Sequence, residues 1–410
     1  MRKFVSAVLA LIMLLSLSIW GASALEAEGF TYIIDDGKAV ITGYRGSETS
    51  LVIPATLKGL KVEEIEDNAF YQNHSITSVT IENGVEEIGD KAFYNCTGLT
   101  KVTLPDSLTD IGDSAFSYCV YLTDVTLGNG IDEISNNCFS HDTRLENIVI
   151  PEGVVELEDG AFEECTHLKS VTLPKSLKEI GKSSFAYTFN LSTVTLPENL
   201  TNIGEGAFYF NSALEEVTIP ASVKTLGNYA FYSNTSLNAV NLNEGLVTLG
   251  DMVFDGTALK SLYIPSTLTT AGSYPFGYTF DEETFEYNIT PDFMALCTEG
   301  SYGAQLCQGH GIAYTIVPVK NTAETAETSE KSTTESIATT TEAKTSATTE
   351  SYEKGDVNLD LNVDKIDTDD IQSYIAYLKE LSEKSLKLAD FDENGKVNIK
   401  DSTKIKMAIV

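Results

Sequence analysis

The chain has 410 residues, with 60 aspartates and glutamates against 27 lysines and arginines, giving a formal charge of −33. A charge of that sign repels polyanions, which excludes nucleic acid and anionic membrane surfaces as partners. The length allows two or three domains with a sizeable core.

Arg2 and Lys3 precede an apolar run from Phe4 to Trp20, and Ala22-Ser23-Ala24 follows. This order marks residues 1–24 as a secretory signal peptide cut after Ala24. No second apolar run has membrane-spanning length, so the mature protein is expected to be secreted, without a membrane span. In residues 25–62, Phe30 to Ile34 and Ala39 to Thr42 are apolar stretches joined by Asp36-Gly37, a hairpin signal. Leu51-Val52-Ile53-Pro54 then starts like a repeat, but an extra Lys58-Gly59-Leu60 delays the next phenylalanine. This segment is expected to cap a solenoid. A carbohydrate-binding hairpin is the alternative.

From residue 63 to 276 one phrase is written again and again. Phe70, Phe93, Phe116, Phe139, Phe162, Phe185, Phe208, Phe231 and Phe254 stand 23 residues apart, and Phe276 follows after 22. Leu99 to Leu237, Val102 to Val240 and Ile88 to Leu249 form further columns with the same step. A fixed period of this length means a solenoid. In one unit, Val102 and Leu104 alternate with Lys101 and Thr103, the period of a half-buried strand, and Pro105 ends its ladder. The entropy of ordering one unit exceeds what its few apolar side chains return on burial, so units are stable only when stacked.

The pattern Ala-Phe-x-x-Cys-x-x-Leu-x-x-Val-x-Leu-Pro-x-x-Leu-x-x-Ile-Gly, read from Ala92-Phe93 to Ile111-Gly112, resembles the BspA-type leucine-rich repeat of bacterial surface proteins. The resemblance implies a β-rich leucine-rich-repeat solenoid with a parallel β-sheet, about ten 23-residue repeats, serving as a recognition surface. It implies no chemistry and no common ligand. Two surface features are candidates for recognition of a protein or glycan target. One is the outward row Thr80, Thr103, Thr126, Thr172, Thr195 and Thr218, which matches a regular polysaccharide or simply suits an exposed strand. The other is the aromatic set Tyr118, Tyr187, Phe189, Tyr209, Phe210, Tyr229 and Tyr232 on the turn side. Sugar rings and partner proteins favour such rings, and packing between rungs explains them as well.

Cys96, Cys119 and Cys165 share a column with Asn73, Asp142, Thr188, Asn211 and Asn234, so they read as small buried groups rather than disulfide partners. Cys138 replaces the usual alanine before phenylalanine. Cys297 and Cys307 lie outside the repeats, and their pairing is left open. The four histidines, His74, His141, His167 and His310, occupy different columns, and acidic residues read as scattered over solvent-facing positions. With no phosphate loop and no zinc spacing, no catalytic residue is assigned and no enzyme activity is expected.

After Phe276 the period fails. Residues 277–319 are expected to close the last rung with a short helix, Ser301 to Gln308, and a strand, Gly311 to Val317. Residues 320–354 are Thr, Ser, Ala and Glu with almost nothing apolar, the composition of an extended linker.

Residues 355–410 contain two loops with oxygen side chains at positions 1, 3, 5, 9 and 12: Asp356, Asn358, Asp360, Asp364 and Asp367, then Asp390, Asp392, Asn394, Asn398 and Asp401. Position 7, Asn362 or Lys396, would add its backbone carbonyl. This is the spacing that wraps calcium. The loops lie 34 residues apart, and so do Ile371 and Ile405 in the helices expected after them. The duplicated loop-helix resembles a type I dockerin, a small all-α calcium-binding domain that plugs into a cohesin of a cellulosome scaffold. Leu361 stands at the sixth position, where glycine normally makes the turn, so of two ions the first is expected to bind more weakly. The resemblance puts cohesin contacts on Lys365-Ile366 with Gln372-Ser373, and on Ile399-Lys400 with Lys406-Met407. These pairs differ from each other, which argues against symmetric docking. Together the segments describe a secreted recognition protein anchored to a scaffold or cell surface of a polysaccharide-degrading assembly. The alternatives are an adhesin for host or neighbouring cells, or a protease-binding accessory protein.

Overall fold

A computed structural model describes residues 25–281 and 285–320, which coil into a solenoid of parallel ladders. At its start, Leu25–Ala27, Phe30–Asp35 and Lys38–Tyr44 form an antiparallel set. Asp36 and Gly37, at φ 46° and 79°, make its tight turn, as the Asp-Gly pair requires. The strand Leu25–Ala27 was not marked in the sequence. Lys38–Tyr44 then pairs in parallel with Leu60–Ile65, so the hairpin covers the first edge of one ladder. The extra residues Lys58 and Gly59 form a small hairpin between Thr56–Leu57 and Leu60–Ile65.

Three ladders hold each rung to the next. The first is the main sheet, in which Ser50–Ile53, Ser78–Ile81, Lys101–Thr103 and Asp124–Thr126 run in parallel. Later pairs such as Asn147–Val149 with Ser170–Thr172 keep the step of one repeat. The second consists of two-residue strands: Glu133–Ile134, Glu156–Leu157, Glu179–Ile180, Asn202–Ile203, Thr225–Leu226, Thr248–Leu249 and Thr270–Ala271 follow one another without a gap. The third runs through the phenylalanine turns and involves no strand. Lys91, Phe93 and Asn95 donate their N–H groups to Asp113, Ala115 and Ser117 of the next rung, at 2.9, 2.8 and 2.8 Å.

That third ladder requires an unusual backbone. Residues two before and two after each phenylalanine from Phe70 to Phe254 are left-handed, as in Ser114 and Tyr118 around Phe116, or Gly206 and Phe210 around Phe208. A left-handed conformation costs a non-glycine residue about 1–2 kcal/mol. Three inter-rung hydrogen bonds per turn offset it. A different constraint acts after the second ladder, where a Cβ on Gly112 would stand 2.5 Å from the Asp90 nitrogen.

Inside, the rings from Phe70 to Phe254 stack rung on rung, with adjacent centroids between 4.7 and 5.8 Å apart. The 23-residue step sets this distance, because each rung repeats at the strand spacing of about 4.8 Å. Cys96, Cys119 and Cys165 donate their thiols to the carbonyls of Phe70, Phe93 and Phe139 at 3.1, 3.2 and 3.1 Å. Burial pushes the Cys119, Cys138 and Cys165 thiols well up, so they are inert packing groups.

The closing segment holds more structure than its sequence suggested. An antiparallel hairpin, Tyr278–Asp281 with Glu286–Ile289, is inserted before the strand Met294–Cys297. That strand pairs with Ser261–Ile264, and the last strand, Tyr314–Ile316, pairs with it in turn. Helix α1, Tyr302–His310, starts at Ser301, whose side chain accepts from the Ala304 N–H, and ends at left-handed Gly311.

Candidate recognition surfaces

The calcium-loop oxygens from Asp356 to Asp401 and the cohesin contacts from Lys365 to Met407 lie outside the described residues. Among the described residues, no group of three or more His, Cys, Asp or Glu side chains is placed to hold a metal ion.

The outward face of the main sheet bears the threonine row. Thr80, Thr126, Thr172, Thr195 and Thr218 are exposed and Thr103 is half-buried. Two kinds of threonine are at work in these rungs. Thr100 and Thr123 donate to the carbonyls of Thr77 and Thr100 at 2.9 and 3.2 Å, which ties rung to rung. The hydroxyls of the outward row have no hydrogen-bond partner among the described residues. The row carries no charge, and Val52 and Val149 extend it with side chains 53% and 64% exposed. At its far end, Asn241 accepts the Lys320 ammonium, and the Lys320 N–H donates to the Tyr263 hydroxyl at 3.1 Å. Burial, with the hydrogen bond to Glu244, pushes the Tyr263 phenol up to about 12. The described chain therefore leaves the solenoid across this face.

The acidic residues are not scattered. Glu64, Glu87, Asp110, Glu133, Glu156 and Glu179 occupy one position of the second ladder in successive rungs. The step of 23 that reveals them was present in the sequence. Burial first, and neighbouring carboxylates second, raise Glu64, Glu87, Glu133 and Glu156 above the ordinary range. A second acidic column is structural: Asp67 and Asp90 accept the N–H groups of Asp90 and Asp113, each at 2.8 Å.

On the turn side the aromatic rings pack on one another, some face to face and others tilted or edge-on. Tyr209 lies 5.1 Å from Tyr232 at 11°, and Tyr187 lies 5.6 Å from Phe210 at 21°. Phe189 is buried, so it belongs to the core rather than to the surface. Contacts between neighbouring rings therefore take up much of this aromatic surface.

Sequence spacing did not bring Ser140, His141 and Glu164 together, but the turns do. Ser140 Oγ is 2.6 Å from His141 Nδ1, and His141 Nε2 is 3.3 Å from Glu164 Oε2. These residue types are those of a nucleophile, a base and an orienting acid. Ser140 is only 2% exposed, however, and its hydroxyl has no room to meet a substrate. The His141 ring instead stacks on Tyr118 at 4.1 Å.

The family model described as the BspA type leucine rich repeat region matches residues 63–188 and 155–281, together more than half of the chain. The model of the dockerin type I domain matches residues 354–410. Both are interaction modules without catalytic function, and type I dockerins bind calcium and dock onto cohesins. No curated protein matches the chain. Among solved structures, a leucine rich cell surface protein from Faecalibacterium prausnitzii is 25% identical over 72% of this chain and 98% of its own, with TM-score 0.41. A leucine-rich repeat protein from Bacteroides ovatus is 19% identical over 72% of this chain and all of its own, with TM-score 0.39. A leucine-rich repeat protein from T. pallidum is 22% identical with the same coverage and TM-score 0.35.

Proposed function

From a chain that belongs to the BspA-type leucine-rich-repeat family and ends in a type I dockerin domain, we propose a secreted, non-catalytic recognition protein that a calcium-loaded dockerin fixes to a cohesin. The cohesin belongs to a cellulosome scaffold or a cell-surface anchor. The observation that carries this reading is the pairing of two interaction modules in one chain.

The donor set fits the ion. Asp356, Asn358, Asp360, Asp364 and Asp367, with the carbonyl of Asn362, would hold one calcium, and Asp390, Asp392, Asn394, Asn398 and Asp401, with the carbonyl of Lys396, the other. Such all-oxygen sets suit a hard divalent cation. Calcium supplies the order of the module, since ligand carboxylates that repel one another in the free chain are held together by the ion. The pairs Lys365-Ile366 with Gln372-Ser373, and Ile399-Lys400 with Lys406-Met407, would then face the cohesin. Residues 320–354 tether the array, and the threonine row of the main sheet is the surface offered to a regular protein or glycan target.

Binding of the full chain to a panel of cohesins in calcium, then in chelator, tests the anchoring. Binding is expected in calcium, to be lost in chelator and to return when calcium is restored. Asp390→Ala is expected to weaken it more than Asp356→Ala, because the first loop lacks its glycine. Equal binding in chelator would overturn the reading.

A further inference from the structure

The closing segment contains two cysteines that the repeats do not use. Cys297 ends the strand that pairs with Ser261–Ile264 on one side and Tyr314–Ile316 on the other, so it sits between Ile264 and Ile316. Cys307 lies on the buried face of α1 with Gly303 and Ala304. The helix comes down directly on the Cys297 sulfur: a Cβ on Gly303 would be 3.7 Å from Cys297 Sγ. Cys307 is one turn further along the same face. Both side chains are fully buried, and they lie close enough for each to shift the titration of the other. The repeat cysteines are engaged differently, since Cys96, Cys119 and Cys165 donate to phenylalanine carbonyls one rung back.

We propose that Cys297 and Cys307 are joined by a disulfide in the exported protein, and that this bond staples the end of the solenoid against the pull of its tether. The two thiols give up two protons and two electrons to a disulfide-bearing oxidoreductase or a low-molecular-weight disulfide, which leaves as the corresponding pair of thiols. The bond forms while the segment folds, before α1 closes over Cys297.

The chain path gives the staple its use. Tension on residues beyond Lys320 first breaks the Lys320 contacts with Asn241 and Tyr263. It next strips Tyr314–Ile316, which is held by bonds such as Val317 N–H to the Cys297 carbonyl at 2.8 Å. Without a covalent link, α1 then unwinds and the last rung opens to water. With the link, release stops at Cys307 and the load passes to Cys297 inside the sheet. This mechanical role rests on the anchoring reading, whereas the bond itself is read without any cohesin.

The test uses the full chain folded in oxidised and reduced glutathione, then denatured and alkylated. Four of the six cysteines should react without reductant and all six after reduction, and a digest should hold a peptide joining Cys297 to Cys307. Six reactive thiols without reductant, or a link from either residue to a repeat cysteine, would overturn the proposal. Reduction should then expose bonds within α1 to limited proteolysis. The Cys297→Ser, Cys307→Ser double variant should show the same cleavage without reductant while the repeats keep their far-ultraviolet signal. Equal resistance of the oxidised and reduced protein would overturn the mechanical role.

Discussion

The two halves of the solenoid are built alike inside and differently outside. In the second ladder, the position before the buried Ile or Leu is Glu64, Glu87, Asp110, Glu133, Glu156 and Glu179 in the first half. In the second half it becomes Asn202, Thr225 and Thr248, and then Thr270 before a half-buried Ala271. The phenylalanine stack runs through both halves, with centroids 4.7 to 5.8 Å apart. Packing therefore fixes the inner columns and leaves this outer one free, so the array tolerates a row of like charges that its own fold does not require.

The largest expected effect breaks the comparison if the halves are not one unit. Phe116→Ala in the acidic half and Phe231→Ala in the neutral half each remove a buried ring from the stack. Each should cost about 3–5 kcal/mol. Because every rung is stabilised by its neighbours, either variant should lower a single urea transition of the array by a similar amount. A variant that melts one half and leaves the other at its original midpoint would show two independent folding units.

A smaller effect is expected at the centre, where Asp142 takes a place that Asn211 and Asn234 hold further on. Its Oδ1 accepts the Cys119 N–H at 2.8 Å, as Asn234 Oδ1 accepts the Asn211 N–H at 2.8 Å. Asp142 Oδ2 is buried without a partner, and burial raises this carboxyl well above the ordinary range. The amide nitrogens of Asn211 and Asn234 in this column are likewise buried without a partner, so the site offers its occupant no hydrogen bond beyond the one to Oδ1. A protonated acid or an amide is neutral and tolerates that burial, whereas a carboxylate brings an unpaired charge into it. The unfolded chain releases this proton near pH 4 while the folded chain keeps it, so stability falls as pH rises above that value. Asp142→Asn should remove the slope. It should be near neutral at pH 4 and stabilising by about 1–3 kcal/mol at pH 7. Urea midpoints at both values check this, and a gain already complete at pH 4 would refute it.

How much of this was legible follows from which residues carry each feature. The period of Phe70 to Phe254 gave away the solenoid, because a buried ring at a fixed step tolerates no replacement. The loops from Asp356 and Asp390 were legible for a similar reason, since calcium needs oxygens at set positions. The left-handed turn residues were hidden: Tyr118, Glu164 and Phe210 are not residues that favour positive φ, and the inter-rung bonds they enable hold them there. The hairpin Tyr278–Ile289 was missed because it interrupts the step instead of obeying it. The acidic ladder keeps the same 23-residue step and is legible in the column just before the buried Ile or Leu.

That ladder supplies the smallest effect and the sharpest form of the comparison. Glu133 is raised by burial and then by Asp132, Asp110 and Asp113, and Glu156 by burial and then by Glu179 and Glu133. A folded value above the unfolded one again means that stability declines as pH rises through the carboxylate range. Each side chain is partly exposed, so solvent screens much of the repulsion. Glu133→Gln and Glu156→Gln should each stabilise the array by roughly 0.2–1 kcal/mol at pH 7 and low salt, the usual range for like charges facing across strands. The gain should fade at pH 4 and in about 1 M salt, where the Debye length shrinks to about 3 Å. Thr225→Gln in the neutral half faces Asn202 and Thr248 and should do neither. If the glutamate variants gain equally at both pH values and in high salt, the stabilisation comes from the amide itself, and the repulsive ladder is not what separates the two halves.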